Sequence, residues 1–335
     1  MKRIMVCLMA CMLFAACGTP AESTAHTETE AGTAKNGASR PGEQNNADPA
    51  GTESSDPSVE VETVTAATLP NTAIEPNSVP ASERFPGKFS DTPVYGDRSY
   101  KSKTIDITIT TYTVKDTYSK LTTYHVADIY VKDVTSIKTA PARSFDTRYE
   151  RTVKDIAGDA GALLAIDGDT YTHVKKSFII RNGVLYRDTP IENTDICILY
   201  RDGRMETRKW GEYTLEEVVA SDPWQVWGFG PALLDENGHA MEIRHELSGH
   251  NPRAAIGYYE PGHYCFVIVD GRDHDWSEGV KLTALSRLME DLGCKVAYNL
   301  DGGDSAVMYW NGEIISKSRN ETRVVSDIIY ILPEE

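Results

Sequence analysis

Between Gly18 and Arg84 the sequence has no phenylalanine, tyrosine or tryptophan, and consists largely of Thr, Ala, Glu, Ser, Pro, Asn and Gly. Such a segment cannot bury enough apolar surface to offset its ordering entropy, which excludes a packed core and predicts a disordered stalk. Basic residues are also in deficit, with 34 Lys and Arg against 50 Asp and Glu and a formal net charge of −16. Part of that charge belongs to the stalk, and the balance argues against nucleic acid as a partner. Cysteine is scarce: of six, Cys7, Cys11 and Cys17 lie near the start, leaving Cys197, Cys265 and Cys294. Three thiols cannot all pair. Cys197 lies between Ile196 and Ile198, and Cys265 between Tyr264 and Phe266, so buried strand thiols are expected, not a disulfide framework or a metal site.

A long apolar run is missing too, since Ile4 to Ala16 is too short to span a bilayer comfortably. Lys2 and Arg3 precede it and Ala15-Ala16-Cys17-Gly18 closes it, the pattern of a secretion signal. This resembles a bacterial lipobox, with Phe14 where Leu is usual. The reading is a signal over 1–16, a lipid anchor on Cys17, and a disordered linker over 17–94 that holds the rest off the outer face of the cytoplasmic membrane.

From about residue 95 to 335 the patterns are those of one α+β domain, sheet-rich, with a mixed sheet and a few helices. Ile105, Ile107 and Ile109 alternate with polar residues, and Tyr124 to Val131 is a second such run. Phe178–Arg181 and Val184–Tyr186 flank Asn182-Gly183, and Ile196–Tyr200 and Met205–Arg208 flank a turn holding Asp202-Gly203, so both read as hairpins. Helices are expected over Arg148–Ile156, after the capping box Thr214-Leu-Glu-Glu217, and over Lys281–Leu292, where an apolar stripe precedes Gly293. Further strands are expected over 162–166, 226–234, 254–259, 264–269, 296–300, 306–310 and 324–332.

Three apolar strands end in Asp-Gly with another acid behind: Asp167-Gly168-Asp169, Asp270-Gly271-Arg272-Asp273, and Asp301-Gly302-Gly303-Asp304-Ser305. One alone is an ordinary turn; three suggest a shared site, with each aspartate mounted on a rigid strand and glycine admitting a substrate to the backbone. Asn251-Pro252-Arg253 leads into another strand and puts a guanidinium at its start, suited to a phosphate or a structural carboxylate.

The segments Ala165–Tyr171, Phe178–Val184, Trp227–Pro231, Asn251–Gly257, Val267–Arg272 and Tyr298–Ser305 occur in the order found in phosphodiester glycosidase domains, and the resemblance runs from about 156 to 332. It implies a pocket lined by Asp301, Gly302, Gly303, Ser305, Arg253, Asp270 and the Asp167-Gly168-Asp169 loop, and hydrolysis of a sugar-1-phosphodiester at the anomeric carbon. Three residues depart from the family pattern: Asp167 where Asn is usual, Ala254 where Thr is usual, and Asp304 where Gly is common.

Such a reaction builds positive charge on the sugar ring, so a nearby carboxylate is stabilising, and Asp301 is the first choice. Arg253 would hold the departing phosphate, with Arg272 second. Asp270, Asp304 or Asp169 could activate water. Ser305 would orient a phosphate or hydroxyl, since no Ser-His-Asp arrangement is legible near it. The substrate partner is then a glycan or glycosyl phosphate of the cell surface or an exopolysaccharide, and the membrane is met only through the N-terminal lipid. No cofactor is called for. Two alternatives stay open: a non-catalytic module for anionic wall or capsular polymers, and a metal-dependent phosphodiesterase with a divalent cation at the aspartate cluster.

Overall fold

The alternating isoleucines 105, 107 and 109 point into the core from the Ile105–Lys115 strand, which pairs along its whole length with Leu121–Val131. In this computed structural model the described residues are 67–68, 80–115, 120–145, 150–171, 177–190, 192–244, 249–317, 319–320 and 322–334. The expected signal segment, Cys17 and most of the expected linker lie outside them. Among the described residues no helix is long and apolar enough to cross a membrane.

Three larger sheets surround one apolar core. The seven-stranded sheet runs in the order Val296–Asn299, Arg253–Glu260, His263–Val269, Leu121–Val131, Ile105–Lys115, Ser99–Lys101, Val94–Tyr95. A five-stranded sheet runs Glu313–Ile314, Met308–Trp310, Leu164–Asp167, Asp327–Ile331, Lys138–Pro141. A six-stranded sheet runs Ala67–Thr68, Val184–Thr189, Ser177–Arg181, Pro223–Trp227, Ile196–Tyr200, Met205–Arg208. Ile107, Ile129 and Phe266 from the first, Ile166, Met308 and Ile329 from the second, and Leu199 and Trp227 from the third meet in one cluster. The Leu282–Asp291 helix lays Leu282, Leu285 and Met289 on the other face of the first sheet, against Ala255, Val267 and Ala297. Tyr264 to Val269 is apolar without alternation for this reason: Phe266 and Ile268 face the central cluster while Cys265, Val267 and Val269 face the helix.

The fold is α+β, as the patterns imply, with several departures in detail. Each pairing among the described strands is antiparallel, so the sheets are not mixed; hairpins such as Ile105–Lys115 with Leu121–Val131 alternate with pairings between strands far apart in sequence, such as Leu164–Asp167 with Asp327–Ile331. The helix expected from 148 starts at Val153, where Thr152 accepts the Asp155 amide at 3.1 Å, and runs to Ala160. The strand expected over 226–234 stops at Trp227, because the following Gly-Phe-Gly-Pro segment bends toward the Asp167–Asp169 loop. The last strand is split at Ser326 into Val324–Val325 and Asp327–Ile331. The Asn182-Gly183 hairpin has both residues at positive φ, 52° and 72°, and the Thr214–Glu217 capping box forms. The linker was expected to reach residue 94, yet residues 80–94 lie against the sheet. Phe85 is buried edge-on to Tyr130, with centroids 5.0 Å apart, and Arg84 Nη1 donates to the Pro261 carbonyl at 2.6 Å.

A buried ionic cluster joins the six- and five-stranded sheets. Arg181 has no exposed surface; its Nε donates to Asp327 Oδ2 at 2.9 Å and its Nη2 to Asp169 Oδ2 at 3.3 Å. Its Nη1 donates to the Ile180 carbonyl at 3.2 Å and also to the Val226 carbonyl. Asp327 returns with its Oδ1 to accept the Asp169 amide at 2.8 Å.

Two stability measurements follow from this packing. Phe85→Ala is expected to cost about 3 kcal/mol in urea unfolding, the usual loss for a buried aromatic; an unchanged midpoint would return residues 80–94 to the linker. Arg181→Met, which leaves two buried acids facing each other, is expected to cost about 3–5 kcal/mol at neutral pH. That loss should shrink toward pH 4 as Asp327, pushed up to about 6 by burial in the native protein, takes up a proton, and a pH-independent loss would count against the charge argument.

Candidate functional site

Four chain segments bring their strand ends to one rim. Arg253 opens its strand opposite Val269, so Asp270 emerges beside it, and Ala255 pairs with Asn299, so Leu300 and Asp301 emerge on the other side. The Leu300 amide still reaches the Ala254 carbonyl at 2.9 Å, and the Asp301 amide then turns to the Gly168 carbonyl at 3.1 Å. That second bond docks the seven-stranded sheet against the end of the Leu164–Asp167 strand.

The two glycines after Asp301 are required by close approach. A Cβ at Gly302 would stand 3.1 Å from the Pro252 carbonyl oxygen, and Gly303, at φ +66°, would place one 3.1 Å from Arg272 Nη2. With both absent, the Gly303 amide bonds to the Pro252 carbonyl at 3.0 Å. The Asp301–Ser305 turn is thereby held on the Asn251-Pro252-Arg253 segment.

The acids at this rim differ in state. Burial pushes the Asp301 carboxyl above its ordinary value, while hydrogen bonds from Ser305 and the Gly302 amide, at 2.9 Å for the amide, pull it back. Asp167 has no exposed surface, and burial first, then the neighbouring Asp301 charge, hold its carboxyl well above the carboxylate range. Neither of its oxygens has a well-formed hydrogen bond among the described residues; the Val307 and Asp167 backbones offer only partial relief. A carboxyl held in this way keeps its proton to higher pH than an ordinary aspartate does. Asp327 is pushed up to about 6 by burial even though Arg181 pulls it down.

The cations lie on the other side. Arg253 is buried, its Nε donating to the Val280 carbonyl at 3.1 Å and its Nη2 to the Gly249 carbonyl at 2.8 Å. Burial and then the charge of Arg272 bring Arg253 down to about 10. Arg272, at φ +62°, donates to Asn251 Oδ1 at 2.9 Å and pairs with Asp304 at 2.9 Å. Asp304 also meets Arg319 at 3.5 Å. Beside the Val280 carbonyl an open cavity of about 640 Å³ is lined by Arg244, His250, Lys281 and Arg287 among others.

The rim thus gathers Asp167, Gly168, Asp169, Arg253, Arg272, Asp301, Gly302, Gly303, Asp304 and Ser305. Asp270 comes beside Arg253 but is buried among donors. Its Oδ2 takes Trp276 Nε1 at 2.7 Å and stands 3.1 Å from His125 Nε2, and its Oδ1 accepts the Lys317 amide at 3.0 Å. Three of the roughly four acceptor sites of that carboxylate are thus taken by the protein itself. Asp169 is similarly committed: beyond Arg181 it accepts the Gly228 amide at 2.8 Å and the Thr170 amide at 2.9 Å.

Sequence reasoning missed Arg181 and Asp327. The one legible signal is an arginine ending the apolar run Phe178-Ile-Ile-Arg181, since a charge inside a buried strand demands a partner. It also missed Arg323, exposed, whose Nε donates to Ser305 Oγ at 3.3 Å. His250 holds the Gly279 carbonyl at 3.1 Å, and His173 lies outside the described residues. Trp227 Nε1 and Asn299 Oδ1, both in motif segments, are buried without a partner among the described residues. No three His, Cys, Asp or Glu side chains among the described residues are grouped so as to hold a metal ion.

Comparison with curated proteins gives no match. Among solved structures the chain is similar to the catalytic domain of zebrafish N-acetylglucosamine-1-phosphodiester alpha-N-acetylglucosaminidase, auto-inhibited by its pro-peptide, at 20% identity over 72% of this chain and 88% of that one, with a TM-score of 0.57. It is also similar to a hypothetical protein from Synechocystis, at 13% identity over 68% of this chain and 62% of that one, with a TM-score of 0.51. Both likenesses concern the fold. The phosphodiester glycosidase family model matches residues 160–332, just over half of the sequence. The chain belongs to the phosphodiester glycosidase family.

Proposed function

We propose that this protein hydrolyses a sugar-1-phosphodiester by breaking the bond between the anomeric carbon and the phosphate oxygen, acting on cell-surface or exopolysaccharide glycans. The observation that carries this reading is the Asp301–Ser305 turn clamped on Pro252, which holds Gly302 against Arg253 and Gly303 against Arg272, directly after the partly buried Asp301. Burial and then the Arg272 charge bring Arg253 down to about 10, and an incoming phosphodiester would relieve the second of these.

In this mechanism Asp301, ionised, faces the positive charge that develops on the sugar ring, while Arg253 and Arg272 receive the charge of the departing phosphate. An acidic leaving group needs little protonation. Asp270 and Asp169 are spent on structural donors and Asp304 on two arginines, so Asp301 and Asp167 are the carboxyl groups left for chemistry. Asp167, held protonated, sets no second negative charge against the substrate. The cavity lined by Arg244, Lys281 and Arg287 gives the aglycone room on the phosphate side. A location on the outer face of the cytoplasmic membrane is part of the same proposal and rests on the sequence around Cys17.

In oxygen-18 water the reaction should label the anomeric hydroxyl of the sugar and leave the released phosphate unlabelled; label in the phosphate would make the enzyme a phosphodiesterase. Asp301→Asn is expected to lower kcat by at least 100-fold, and binding without turnover by the wild type would favour a polymer-binding module.

The pH profile follows from two raised carboxyls. Activity falls as pH drops through the Asp301 value, which lies above the ordinary carboxylate range, and falls again at alkaline pH as Asp167 loses its proton. Asp167→Asn should keep neutral activity within a few-fold and remove the alkaline limb. For stability the sign is set by proton binding: native Asp167 keeps a proton that the unfolded chain releases above about pH 4, so its contribution falls as pH rises. The variant should therefore melt a few degrees higher than wild type at pH 8, with the gap closing toward pH 4. Loss of turnover at every pH in a folded variant would put the Asp167 proton in the reaction itself.

For the anchor, Cys17→Ala should move the protein from membrane to medium or leave it unprocessed; fractionation identical to mature wild type would sink that proposal.

A further inference from the structure

Cys265 and Cys294, 29 positions apart in sequence, bring their sulfur atoms to 3.7 Å in a buried site beneath the Leu282–Asp291 helix. Cys265 has no exposed surface and Cys294 is 4% exposed. What makes the approach possible is Gly257, which pairs with Cys265 on one side and with Ala297 on the other. A Cβ at Gly257 would stand 2.6 Å from Cys294 Sγ and 2.7 Å from Cys265 Sγ, so the two sulfurs fill the space its missing side chain leaves. Cys294 is delivered there by the end of the helix, where Gly293 turns at φ +80° and the Cys294 amide returns to the Met289 carbonyl at 3.1 Å. The Tyr259 hydroxyl lies near both sulfurs.

We propose that Cys265 and Cys294 are a redox pair that closes to an intramolecular disulfide when the protein meets a small-molecule disulfide. Closure needs the sulfurs to approach by about 1.6 Å, from contact to the usual bond length of about 2.05 Å. Their hydrogen bond lowers the Cys294 thiol and raises that of Cys265, which assigns Cys294, the one with a trace of exposure, as the attacking thiolate. Cys294 loses its proton and its sulfur attacks one sulfur of the oxidant, releasing the first thiol and leaving a mixed disulfide. Cys265 then loses its proton, attacks Cys294 Sγ and expels the second thiol. Two electrons pass from the pair to the oxidant, and the two protons end on the released thiols. The new bond ties the strand that ends at Asp270 to the connection entering the strand that ends at Asp301, with the Arg253 strand between them. It braces the sheet four residues behind the rim and touches none of the rim residues.

The test uses the full chain. Purified protein is incubated with and without excess 2-hydroxyethyl disulfide, quenched in acid, alkylated under denaturing conditions, digested with trypsin and mapped by mass. The expected product after oxidation is the cross-linked pair of peptides 254–272 and 288–295, reversed by dithiothreitol, together with a melting temperature higher by roughly 5–10 °C. Cys294→Ala should abolish both the linked peptide and the shift. Recovery of both peptides alkylated after prolonged oxidation, or of Cys294 arrested as a mixed disulfide, would overturn the proposal. Peptide mapping reads this pair separately from the other four cysteines and from catalytic activity.

Discussion

Everything at the rim depends on Arg181 being neutralised in the interior. Its guanidinium has no solvent, and it is held by Asp327 on one strand, Asp169 in a loop, and main-chain carbonyls of two further strands. Because a buried cation without its anions is several kcal/mol worse than none, the four segments cannot shift independently. Such a cluster adds little net stability beyond an apolar replacement. Its effect is to set one relative position for two sheets. Asp169 spends its remaining lone pairs on the Thr170 and Gly228 amides, so the loop carrying Asp167 and Gly168 is fixed by the same constraint. The Gly168 carbonyl then receives the Asp301 amide, and the geometry reaches the acid proposed to meet the sugar.

The fold sorts an aspartate-rich rim by what each carboxylate touches. Asp270, Asp169 and Asp304 are surrounded by donors or cations. Asp301 receives partial support from Ser305 and Gly302, and Asp167 receives almost none. The differing environments push the acids toward different protonation states, the usual means by which one site holds both an ionised and a neutral carboxyl near neutrality. Burial first, and then the nearby Arg272 charge, bring Arg253 down, and an anion between the two arginines is favoured for the same electrostatic reason.

Much of the architecture was legible along the chain. The isoleucines at 105, 107 and 109, the Asn182-Gly183 hairpin, the Thr214–Glu217 box and the leucine stripe before Gly293 are short-range signals, decided by neighbours within a few residues. The failures were long-range. Whether the chain beyond Trp227 continued as a strand was settled by Asp169, 59 positions away, accepting the Gly228 amide. The packing of residues 80–94 on the sheet was settled by Phe85 finding Tyr130, which no local pattern announces.

Sequence alone determined the family, the order of its motif segments and the presence of an α+β domain, because these are written in residue identity and spacing. It also placed aspartates at strand ends, since apolar runs closing in Asp-Gly are visible without coordinates. Only the tertiary structure decided which of those aspartates have free oxygens, since that depends on donors such as Trp276, Lys317, Gly228 and Arg181 that reach them across the fold. Likewise Cys265 and Cys294 read as two inert buried thiols in sequence and become neighbours only because Gly257, on the strand between them, has no side chain to keep their sulfurs apart.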